Sequence, residues 1–115
     1  MTKTLETLLD RACLTGESNK NGRPAMYGGV GRLQEQWHVT DDGNTVTVRH
    51  WGTQIIEATR KEHKVVDLYG QSKTDRDALN QIFSYLGISM HAHYYPSRET
   101  LEVHADGTER LLYTI

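Results

Sequence analysis

The sequence has a single cysteine, Cys13, among 115 residues. No intrachain disulfide can form, and the usage fits a reducing compartment. No apolar run approaches the roughly 18 residues that a bilayer span requires. The opening residues, MTKTLETLLDRACL, lack a long apolar stretch and carry acids early, so a secretory signal is not expected. Neither sign of charge is in excess: 13 Lys plus Arg stand against 15 Asp plus Glu, a formal net charge of -2. That balance argues against bulk binding to phosphate backbones, which needs a strongly basic domain, and leaves room only for a local basic patch. Catalytic signatures are missing too. Cys13 has no His near it in sequence, Ser72 and Ser97 lack the strand-to-helix elbow of a serine nucleophile, and no paired carboxylates sit in an apolar strand. The expectation is one cytoplasmic domain without a cofactor, non-enzymatic, long enough to bury a modest core of its own.

What is present is pattern. Leu5, Leu8, Leu9 and Ala12 recur at helical spacing, predicting a short helix over residues 1–15, with Thr2 or Thr4 at its start and Gly16 at its end. Residues 16–31, rich in Gly, Asn, Ser and charge, read as a long contact loop. Its segment Gly28-Gly29-Val30-Gly31-Arg32 resembles a phosphate-cradling loop in glycine content alone. From 33 to 70 the period becomes two. Leu33, Glu35, Trp37 and Val39 share one strand face, Asp41-Asp42-Gly43-Asn44 is a turn, and Val46 and Val48 continue beyond it. Further strands carry Ile55 and Ile56, then Val65, Val66 and Leu68, so this region reads as an antiparallel meander. Residues 72–87 form the clearest element, a helix with the apolar stripe Ala78, Leu79, Ile82, Phe83 and Leu86. Ser72 or Thr74 caps it, Asp75 and Asp77 favour its N-terminal dipole end, and Gly87 stands where a C′ glycine belongs. Residues 88–115 alternate again as C-terminal strands, with a turn at Asp106-Gly107. The fold class predicted is α+β: an antiparallel sheet of six or seven strands, one main amphipathic helix across a face, and a short N-terminal helix at an edge.

Two stretches stand out together: His50-Trp51-Gly52-Thr53 at a strand end, and Ser72-Lys73-Thr74-Asp75 opening the helix, with Asn80 inside it. This arrangement resembles a module of small uncharacterised proteins of tailed bacteriophages, over about the middle third of the chain. Trp51 stands where a Tyr is more usual, and Asp75 where a second Thr is frequent. The resemblance implies a phage origin, hence the host-cell cytoplasm, and implies no reaction type. Turns and caps account for the same residue types without any ligand.

Three sets of candidate residues follow. For a partner surface, the contact loop supplies Arg23, Tyr27 and Arg32, and exposed aromatic and Arg pairings supply Trp51, Tyr95 and Arg98. This set fits a protein that binds a host protein or protein–nucleic-acid complex, an inhibitor of a bacterial defence system such as CRISPR being the most specific version. For direct nucleic-acid binding, the central region supplies Arg49, Arg60, Lys61, Lys64, Lys73 and Arg76. For a metal-dependent enzyme, His91 and His93 share one strand face, and Glu99 follows. The alternative for that pair is an exposed face opposite Ile88, Met90, Ala92 and Tyr94. The last strand, LLYTI, leaves an edge through which a homodimer would pair.

Overall fold

The computed structural model describes residues 3–22, 25–26, 29–30, 34–70, 72–97, 100–105 and 111–114. It has an α+β architecture. In chain order the elements are α1 (Lys3–Thr15), β1 (Glu17–Gly22), β2 (Ala25–Met26), β3 (Gly29–Val30), β4 (Gln34–Asp41), β5 (Thr45–His50), β6 (Thr53–Thr59), β7 (Lys64–Leu68), α2 (Lys73–Leu86), β8 (Met90–Tyr95), β9 (Thr100–Ala105) and β10 (Leu111–Thr114). The strands divide into a five-stranded sheet of order β1-β4-β5-β6-β7, a three-stranded sheet of order β10-β9-β8 and the small β2-β3 pair. All pairings are antiparallel. The single sheet expected from the alternation is thus split. The periodicity marks each strand but carries no information on which strands hydrogen-bond across α2.

The expected loop over 16–31 is corrected at its start. Gly16, at φ 92°, ends α1 and accepts the Asp41 N–H, and Glu17–Gly22 then runs as an edge strand along β4. Polar composition concealed the strand because only Ser18 of its residues is buried, its hydroxyl donating to the Leu8 carbonyl of α1. The Leu33 and Asp106-Gly107 expectations lie outside the described residues.

One core holds both sheets together. The α1 stripe of Leu5, Leu8, Leu9 and Ala12 is buried on β1 and β4. The α2 stripe is buried mainly against β8 and α1, with a smaller contact on β6, so α2 touches both sheets. Val39, Val46, Val48, Ile56 and Ala58 face this core from the five-stranded sheet, and Ala92, Leu101 and Val103 from the other. A bulge beside Val48 and Arg49 leaves Ile55 without a partner on β5, which is how consecutive Ile55 and Ile56 are both buried. A second bulge, between Glu57 and Ala58, leaves Val66 outside the pairing and exposed.

The helix termini follow the chemistry expected of them. Ser72, not Thr74, is the N-cap, its hydroxyl accepting from Asp75 N at 3.2 Å. Gly87 adopts φ 70° as the left-handed C′ residue. His63, from the β6–β7 turn, has Nδ1 2.9 Å from the Leu86 carbonyl, which only accepts, so Nδ1 carries the hydrogen and covers the last turn of α2. Among the described residues, no helix is long and apolar enough to cross a membrane.

Candidate functional site

The two halves of the sequence module meet in space. β5 and β6 are joined by a two-residue turn, Trp51-Gly52, flanked by the pair His50 and Thr53. Both turn residues have positive φ, 51° and 83°. This is the primed-turn geometry that matches strand twist, and it normally selects Asn-Gly or Asp-Gly. A tryptophan there holds a left-handed backbone that costs about 1–2 kcal/mol for a residue with a Cβ. Its N–H donates to the Gln36 carbonyl of β4 at 2.8 Å, so the tip of the hairpin is anchored while the indole stays half-exposed.

Behind the tip, His50 is held on three sides. Its ring stacks on Trp37 with centroids 4.0 Å apart and planes 12° apart, and it meets Trp51 at 5.7 Å. Its Nδ1 lies 2.9 Å from Asp75 Oδ1, with side-chain exposures of only 10% and 11%. The carboxylate accepts, so Nδ1 carries the hydrogen, and in the neutral ring Nε2 presents a lone pair. That Nε2 is buried and has no hydrogen-bond partner among the described residues, at a cost of about 1–3 kcal/mol for a desolvated acceptor. The His-aromatic-Gly-Thr turn and the Ser-x-Thr-Asp helix start are therefore one unit, in which α2 is docked onto the hairpin tip. Sequence reasoning placed His50 at a strand end and Asp75 in a cap, but a 25-residue separation gives no spacing signal for their pairing. Trp37 also borders a cleft of about 610 Å³, with Leu5, Thr74, Ala78, Gln81 and Ser84.

The outer face of the five-stranded sheet carries polar rows. Glu17, Thr40, Thr47, Glu57 and Asp67 follow one another across the strands, with Asn19, His38, Arg49 and Gln54 in the next row. His38 sits between Glu17 at 2.9 Å and Glu35 at 3.4 Å.

The candidate sets separate as follows. Trp51 is at the hairpin tip. Tyr95 is half-buried on the outward side of β8, its ring 4.7 Å from His93. Arg23, Tyr27, Arg32, Arg98 and Glu99 lie outside the described residues. The six cations of the nucleic-acid set do not come together. Lys61 and Lys64 are at one end of β6 and Lys73 is near the other, about 20 Å apart along a strand of that length. Arg60 is forked onto buried Asp41 at 2.6 and 2.9 Å, and Arg76 onto Asp77 at 2.7 and 2.9 Å. Arg49 is exposed on the outer face, its Nη1 donating to the Gly52 carbonyl at 3.4 Å. His91 and His93 are both exposed on one face of β8, as the alternation requires. Opposite them on β9, residues that sequence reasoning missed as partners, His104 and Glu102, complete a cluster. Among the described residues, no three His, Cys, Asp or Glu side chains converge in metal-holding geometry.

No protein-family model, no curated protein and no solved structure matches this chain.

Proposed function

We propose that this chain is a non-enzymatic binding protein that engages a host macromolecule through the Trp51 hairpin tip. The observation that carries the reading is the tip itself. A half-exposed tryptophan occupies a turn position where Asn would be relaxed, and such strain persists where something other than folding selects the residue. Large aromatics on a rigid support are the residues that dominate protein interfaces. Here the support is firm: the Trp37–His50 stack and the His50–Asp75 bond hold the tip against α2. The neighbouring sheet face, with Glu17, Glu35, Glu57 and Asp67 against Arg49, Lys64 and His38, favours a protein partner with a basic patch over bare nucleic acid. The resemblance to tailed-phage proteins supports a bacterial host protein or protein–nucleic-acid complex as the target, and a CRISPR-type defence effector as its specific form.

The test is Trp51→Asn. The relaxed turn and the lost half-burial of the indole offset each other, so stability stays within about 1 kcal/mol of wild type. Nuclease-resistant capture of the partner from bacterial lysate is lost, as is rescue of phage plating on a strain with an active defence system. Retained capture and rescue sink the assignment. A loss of 3 kcal/mol or more, in the range of a core tryptophan, shows a structural Trp51 instead. A homodimer through the β10 edge is part of the same proposal, and sedimentation at two concentrations decides it.

A further inference from the structure

The cleft that Trp37 borders has two unlike sides. Its apolar side is made by Leu5, Trp37 and Ala78, each less than a tenth exposed. Its polar side is a stripe of α2: Thr74, Asp77, Gln81 and Ser84 recur at i, i+3, i+7 and i+10 and so share one helix face. That stripe runs about 15 Å along the helix axis, the length of roughly four or five residues of extended chain. Ligand sites commonly enclose about 300–1,000 Å³, and this cleft is of that size.

The polar side has bonding capacity that the fold does not use. Among the described residues, the side chains of Thr74, Gln81 and Ser84 find no hydrogen-bond partner. Asp77 is the one charged group at the cleft among the described residues. Arg76 places both Nε, at 2.9 Å, and Nη2, at 2.7 Å, on its Oδ1. Oδ2 takes no hydrogen bond from the described residues, and the side chain is 54% exposed. A free carboxylate oxygen, two hydroxyls and an amide thus stand beside an apolar wall.

A side chain that suits both sides has an apolar stem and a head made only of donors. Arginine has both, with a methylene stem and five N–H groups. Its guanidinium is more weakly hydrated than an ammonium, so it leaves water at lower cost than lysine. We propose that the cleft receives an arginine side chain from a basic segment of the partner protein, with the stem against Leu5 and Ala78 and the guanidinium on Asp77 Oδ2. The inference rests on the proposed partner binding at the Trp51 tip and names the chemistry that docks beside it. Ring contacts of 5.7 Å from Trp51 to His50 and 4.0 Å from His50 to Trp37 lead from the tip to the cleft, so one partner surface spans both. The carboxylates of the outer sheet face, Glu17, Glu35, Glu57 and Asp67, call for the same sign of charge on that partner.

The probe is N-acetyl-arginine amide, titrated into the full ¹⁵N-labelled chain by NMR, with N-acetyl-citrulline amide as its uncharged isostere. Saturable shifts in the millimolar range are expected at the Trp37 indole N–H, the Gln81 side-chain amide and the Ala78 backbone, and none with the citrulline probe. Because Asp77 is exposed, Asp77→Asn keeps the fold; it lowers affinity for the arginine probe about tenfold and weakens partner capture from lysate. Glu62→Gln, which removes an exposed carboxylate from the β6–β7 turn, leaves both unchanged. Absence of a saturable shift with the arginine probe, an equal response to both probes, or indifference to Asp77→Asn overturns the proposal. The Trp51 reading fails separately, because Trp51→Asn leaves the cleft intact. Partner capture retained by Trp51→Asn while the arginine probe still binds sinks the tip and not the cleft. A cleft silent to the probe while Trp51→Asn loses capture sinks the cleft and not the tip.

Discussion

Arg60 shows how one side chain can be diverted from the use its charge suggests. The guanidinium forks onto the buried Asp41 carboxylate and lies 5.7 Å over the Tyr85 ring. The hydrogen bond from Arg60 to Asp41 holds the guanidinium pKa above its ordinary value. Tyr85 in turn donates to Asp10 Oδ1 at 2.6 Å, linking α2 to α1. Burial, then the Asp10 hydrogen bond, push the Tyr85 phenol above its ordinary value near 10. A proton held more tightly in the folded state contributes stability that is complete below the unfolded value and is lost as pH rises through the folded one. Denaturant midpoints for wild type therefore decline as pH is raised above about 10. Tyr85→Phe removes this component of the decline, and an identical alkaline slope in the two proteins would show that Tyr85 is not its source. At the acid end, Asp42 is lowered from the usual carboxylate value by the backbone N–H groups of Thr45 and Asn44. The contribution of that turn is accordingly present above about pH 4 and lost as pH falls below it.

Among the elements, β8 shows how an edge strand is protected. It is the end of the three-stranded sheet, and an unpaired edge is a template for association. Asn80 of α2 closes it with one amide: Nδ2 donates to the Ala92 carbonyl at 3.1 Å, and Oδ1 accepts the Ala92 N–H at 2.7 Å. The side chain thus acts as the next strand for one residue. Asn80→Ala leaves both backbone groups without that partner and costs about 1–2 kcal/mol, near the low end for unpaired groups because the site is half-buried. The same variant self-associates more readily, visible by light scattering. Gln81→Ala, on the same helix and bordering the cleft beside Trp37, is the control and changes neither. If Asn80→Ala matches that control, the amide is not what closes the edge.

At the scale of the whole molecule, two sheets share one hydrophobic core with α2 between them. A continuous core predicts a single cooperative unit. Native-state hydrogen exchange checks this: the slowest amides of β5 and β6 and those of β8 and β9 converge on one opening free energy. A clearly lower value for β8 and β9 would make the three-stranded sheet a separate unit.

The sequence by itself determined the local elements. The α2 stripe and its Gly87 terminus, the Asp41–Asn44 turn, the alternation of β4, β5 and β8, and the α+β class all follow from periods of 3.6 and 2 and from short-range capping chemistry, which act between residues close along the chain. Tertiary structure alone decided the partition into two sheets, the edge strand Glu17–Gly22, the forked Arg60–Asp41 pair, the meeting of His50 with Asp75, and the placing of His104 and Glu102 opposite His91 and His93. Each joins residues whose separation in sequence is set by intervening turns and packing. Residue type records that a group can bond; only the folded chain determines to what.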